Sequence, residues 1–97
     1  MVCRTLAAAI GVASIAAAVV ASAEPPAGAA ACSGCHPAST RVTSPVPRLA
    51  GLDRAAIVRA MEDFRSGTRA STVMDRIAKG FTEAEVQAIA AWYATQR

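Results

Sequence analysis

The sequence predicts an all-α chain: three short helices joined by two long irregular segments. Three observations lead there. No stretch alternates apolar and polar residues long enough to make a half-buried strand. Ile57, Met61 and Phe64 stand at i, i+4 and i+7, the stripe of an amphipathic helix. Val86, Ile89, Ala90 and Tyr93 keep the same spacing behind Thr82 and Glu85, whose separation of three residues is that of a reciprocal capping box.

The chain opens with Met1, Val2, Cys3 and Arg4, followed by an uncharged run from Leu6 to Ala23 that closes on Ala21-Ser22-Ala23. A positive start, an apolar middle and a small-x-small end are the order of a secretory signal, so residues 1–23 are expected to direct export and be removed. The competing reading is a retained membrane anchor, because the run approaches the ~17 apolar residues that a spanning helix needs. Its many alanines make it only weakly hydrophobic, which favours the signal. Cleavage would leave residues 24–97 as one domain, without stable membrane insertion, and Cys32 and Cys35 as its thiols. Export places that pair in an oxidising compartment, the periplasm of a bacterium.

After Pro25, Pro26 and Gly28, the alanines 29–31 favour a first short helix leading into the cysteines. Residues 37–51 hold Pro37, Pro45 and Pro47 among small polar side chains and read as a loop, long for so small a domain. Asp53 is a good N-cap for the second helix, which is expected to reach Ser66 and end on Gly67. Residues 68–81 form a second irregular stretch containing Met74. The last helix starts behind Thr82 and is expected to continue to the C-terminus.

Charge narrows the partners. The chain carries ten Lys and Arg against seven Asp and Glu, a net +3 that becomes +2 once Arg4 leaves with the signal. That excess is too mild, and too scattered, for nucleic acid. Large apolar side chains are few, and a domain this small usually needs a staple beyond its own core.

The staple is suggested by Cys32-Ser33-Gly34-Cys35-His36, the spacing of c-type haem attachment. Two thiols two residues apart can each form a thioether to one porphyrin vinyl group, and the adjacent His36 then lies under the iron. Ser33 and Gly34 are small enough for the backbone to run along the macrocycle edge. A zinc site would need four ligands, and residues 24–97 offer two Cys and one His. A thioredoxin-like pair would need a strand-helix-strand context that is absent, and a plain disulfide would leave His36 and the sparse core unexplained.

The second axial ligand has two methionine candidates. Met61 sits on the expected buried stripe, where Met commonly fills core space. Met74 sits in the irregular stretch between Val73 and Ile77, where the backbone is free to aim a thioether at a metal, and is the favoured ligand. An open sixth position is the remaining alternative. It would make the protein a ligand-binding or peroxidatic haem protein.

The order of these features resembles the class I cytochromes c: CSGCH near the start, a proline followed by Leu49-Ala50-Gly51, one amphipathic helix, a methionine between helices, and a closing helix with Trp92 and Tyr93. The stretches Arg65-Ser66-Gly67 and 71–82 (STVMDRIAKGFT) look like the single-haem units of the cytochrome subunit of flavocytochrome c sulfide dehydrogenase. The resemblance implies a small class I fold around one covalent haem c. Its carry-over makes Cys32 and Cys35 the thioether cysteines, His36 the proximal ligand and Met74 the distal one. Pro47 corresponds to the proline whose carbonyl accepts the imidazole hydrogen bond, and Trp92 and Tyr93 to the aromatics that pack the last helix on the first.

One departure stands out: Pro37 follows the histidine and only ten residues separate His36 from Pro47. A short loop would expose that haem edge and help a partner dock. The implied function is periplasmic transfer of single electrons, with His/Met ligation raising the reduction potential. The chain would serve as a small carrier or as the non-catalytic cytochrome subunit of a redox enzyme, with a redox protein, flavoproteins included, as its partner.

Overall fold

The computed structural model describes residues 24–97. The expected export signal, 1–23, lies outside the described residues. Four helices follow in order: α1 (Ala29–Cys32), α2 (Arg54–Ser66), α3 (Met74–Ala78) and α4 (Glu83–Thr95). Among the described residues there is no strand. The all-α class holds, with one helix more than the sequence predicts.

The two long helices form for the reasons their sequences suggest. The Asp53 carboxylate accepts from Ala56 N at 3.2 Å, satisfying one of the N–H groups that a helix start leaves unpaired. Gly67 ends α2 with φ 79°, a left-handed turn that glycine adopts without a Cβ penalty. At α4 the capping box is complete. The Thr82 hydroxyl accepts from Glu85 N at 3.2 Å, and the Glu85 carboxylate accepts from Thr82 N at 2.7 Å.

Three expectations need correction. Met74 does not sit in a loop; it is the first residue of α3. Met61 is half-buried, because Ile57 is the buried residue of α2 and the later part of the stripe stays partly open. Helix α4 stops at Thr95 short of the C-terminus, because its last carbonyls find partners outside the helical pattern. Tyr93 O accepts from Gln96 N at 3.1 Å and from Gly51 N at 3.0 Å. Trp92 O accepts from the Thr95 hydroxyl at 2.7 Å.

Helix α2 packs against both α3 and α4. The core runs through Ala29, Ile57, Ile89, Ala90 and Tyr93, with Cys32, Leu49, Val58, Phe81 and Trp92 against it. Two of those five core residues are alanines, Ala29 on α1 and Ala90 on α4, whose small side chains allow close approach. Tyr93 Oη donates to Ala29 O at 2.7 Å, and the Trp92 and Tyr93 rings meet edge to face at 4.8 Å. The last helix thus packs on the first through its aromatics.

Candidate functional site

The attachment segment begins inside the core and ends outside it. Cys32 closes α1, packs against the central cluster and is half-buried, while Cys35 is exposed on the turn that follows. That turn is tight: Gly34 N donates to Ala31 O at 3.3 Å, Cys35 N to Cys32 O at 3.3 Å and His36 N to Cys32 O at 2.9 Å. Both thiols are free, with no disulfide between them. Burial pushes the Cys32 thiol above its ordinary value, opposed in part by a backbone hydrogen bond.

His36 is oriented from a distance of eleven residues. Its Nδ1 lies 2.5 Å from the carbonyl oxygen of Pro47. A carbonyl can only accept, so Nδ1 is the donor, and in the neutral imidazole Nε2 then keeps its lone pair. A metal-binding imidazole is commonly held in this way, with one nitrogen anchored and the other left to coordinate. Arg48, next to Pro47, braces the same loop: its Nε donates to Ala38 O at 2.9 Å.

Met74 comes from a separate arm of the chain. Half-buried at the start of α3, it is carried by that helix against α2. The structure therefore brings Cys32, Cys35, His36 and Pro47 into one hydrogen-bonded segment. Met74 stands on a different element, which α2 holds.

The residues present fit a c-type haem. The motif supplies two unjoined thiols and an imidazole with Nε2 free to coordinate. Among the described residues, the large apolar side chains left exposed are Val42, Leu52, Val73 and Ile77. They fall in the two segments that carry Pro47 and Met74, where a planar apolar group has side chains to cover. No group of three or more His, Cys, Asp and Glu suited to a metal ion occurs among the described residues. Two surface concavities lie between α2 and α4, lined by residues such as Asp53, Arg59, Glu62 and Gln87, and none of the motif residues lines either.

Sequence reasoning assigned no role to two residues of this site. Arg48 is one. The other is Arg65, whose guanidinium reaches the backbone of the Met74 segment. Both donate to carbonyls, which every residue possesses, so the only available signal was their position beside Pro47 and Gly67.

The helix order, the attachment motif and the anchored histidine are consistent with a small c-type cytochrome. Comparison with known proteins agrees. The chain is 40% identical over 62 residues to the cytochrome subunit of sulfide dehydrogenase of Chlorobaculum tepidum, covering 64% of this chain and 56% of that protein. It is 39% identical over 62 residues to cytochrome c-552 of Acidithiobacillus ferridurans, covering 64% of this chain and 27% of that protein. A third relative is a thiosulfate dehydrogenase electron acceptor of Stutzerimonas stutzeri, 38% identical over 65 residues, or 65% of this chain and 30% of that protein. The chain thus spans about half the length of the first relative and under a third of the other two. No family model matches it.

Proposed function

We propose that the chain carries one haem c, joined through thioethers to Cys32 and Cys35 and ligated by His36 and Met74, and that it passes single electrons. The observation that carries this reading is the hydrogen bond from His36 Nδ1 to Pro47 O, which orients the ring and leaves Nε2 as the nitrogen available to coordinate. The bound haem supplies a one-electron iron couple. Cys32 and Cys35 keep the group attached outside the cytoplasm, and Pro47 holds the imidazole in one tautomer and one orientation. Met74 offers a thioether, a soft ligand that favours the ferrous state and raises the potential. With His36 and Met74 both holding the group, no substrate would need to bind.

Residues 1–23 would direct export, leaving 24–97 as the haem domain in the periplasm. No helix among the described residues is long and apolar enough to cross a membrane. The names of the relatives support a role beside an enzyme that oxidises reduced sulfur. The chain would be a non-catalytic subunit or acceptor that receives electrons from that enzyme, a flavoprotein in the sulfide case, and hands them on. Docking at the haem edge would be brief and small in area.

The test is the visible spectrum of the exported protein, oxidised and reduced, before and after carbon monoxide. A low-spin c-type spectrum unchanged by carbon monoxide is expected. A carbon monoxide shift would overturn His/Met ligation and mean an open sixth position.

A further inference from the structure

One side chain of α2 reaches the arm that bears Met74. The Nη2 of Arg65 donates to Phe81 O at 2.6 Å and to Ala78 O at 3.3 Å. Ala78 is the last residue of α3 and is wholly buried. Phe81 lies against the entry to α1, so close that a Cβ on Gly28 would stand 2.7 Å from its ring. Arg65 therefore ties together α2, the end of α3 and the chain just ahead of the attachment motif.

At the other end of α3 the restraint is local: the Ser71 hydroxyl accepts from Asp75 N at 3.0 Å and donates to Asp75 Oδ1 at 3.3 Å. Met74 lies between these two anchors, four residues before Ala78 on a five-residue helix. At about 1.5 Å of rise per residue, the methionine backbone sits only ~6 Å from the carbonyl that Arg65 holds. So short a helix gains little from its own hydrogen bonds and takes its position from tertiary contacts.

We propose that Arg65 is a positioning residue for the distal ligand, fixing α3 so that the Met74 thioether stays on the iron. This rests on Met74 being that ligand. Arginine suits the task, because its planar fork presents several donors in fixed directions, whereas a lysine ammonium sits on a flexible stem. A charged donor also makes stronger hydrogen bonds to carbonyls than a neutral one.

The test uses the exported, haem-loaded full chain with Arg65→Met, Arg65→Lys, Met74→Leu and, as a control, the exposed Arg59→Met on the same helix. Three quantities are read: the weak long-wavelength absorption band of thioether-ligated ferric haem, the apparent affinity of the ferric protein for imidazole, and the urea midpoint. Losing bonds from a charged donor should let the thioether leave more often, so Arg65→Met is expected to weaken the band and raise imidazole affinity by about tenfold. Arg65→Lys is expected in between, about threefold, if a single hydrogen bond survives. Arg59→Met should match the parent.

If Arg65→Met lowers the urea midpoint but leaves the band and the imidazole affinity unchanged, Arg65 is a structural staple only and the proposal is overturned. Should Arg65→Met fail to accumulate, Arg65→Lys decides, and parent-like imidazole affinity in it overturns the proposal equally. If Met74→Leu keeps the band, the ligand assignment itself fails, a separate result from either of these.

Discussion

The two long helices and the two segments that follow α1 and α2 are built on different terms. Helices α2 and α4, thirteen residues each, carry their own side-chain caps, and they supply Ile57, Val86, Ile89, Ala90 and Tyr93 to the buried set. Segments 33–53 and 67–81 bear Cys35, His36, Pro47 and Met74. Side-chain bonds to isolated carbonyls brace them, and they keep Val42, Leu52, Val73 and Ile77 exposed. The frame completes itself locally, whereas the arms leave apolar side chains uncovered. For the proposed electron carrier this division would be useful, because a rigid frame would limit rearrangement between oxidation states while the arms would leave a haem edge within reach.

The largest effect that would sharpen this contrast comes from removing the cofactor. In a Cys32→Ala, Cys35→Ala chain, hydrogen exchange should accelerate first and most in the arms, with the amides of α2 and α4 the slowest to exchange. A uniform loss of protection across frame and arms would break the comparison. Next in size is the methionine pair. Met74→Leu should abolish the low-spin His/Met spectrum, while Met61→Leu, a volume-conserving swap at a half-buried frame position, should cost less than about 1.5 kcal/mol and leave the spectrum alone. The reverse pattern in visible spectra would move the ligand to α2.

Tyr93 joins frame to motif, since its hydroxyl donates to Ala29 O three residues before Cys32. Tyr93→Phe leaves that buried carbonyl without this partner, and urea titration should show a loss of about 1 to 3 kcal/mol at neutral pH. Burial holds the Tyr93 phenol above its ordinary value, with an ionised Cys32 thiol a smaller contributor that a thioether would remove. A raised value favours the neutral phenol in the folded chain. Its contribution is therefore intact below pH ~10, where free tyrosine ionises, and is lost as pH rises through the folded value. The phenylalanine variant should lack that alkaline component of destabilisation, and an unchanged alkaline profile would count against the buried hydroxyl. The smallest effects belong to the caps: Thr82→Ala and Asp53→Ala should each cost about 1 kcal/mol, read from thermal unfolding, without touching the spectrum.

Legibility in the sequence follows the same division. Asp53 with Gly67, and Thr82 with Glu85, are signals within one helix, and each was realised. Helix α3 was not foreseen, because five residues are less than two turns, too short for periodicity, and its N-cap, Val73, makes no capping hydrogen bond. The attachment motif was readable because its chemistry is local, with two thiols and a histidine in five consecutive residues. The pairing of His36 with Pro47 came only through resemblance to a known family. That of Arg65 with Phe81, sixteen residues apart, did not come at all, because a backbone carbonyl has no sequence signature.

Covalent attachment of haem at Cys32 and Cys35 underlies all of these expectations. Its most direct test is the intact mass of the exported protein after denaturing acid extraction, followed by the mass of the proteolytic peptide that contains residues 32–36. One haem retained on the chain and carried by that peptide is the predicted result; a chain stripped to its bare mass, or haem on any other peptide, would contradict it.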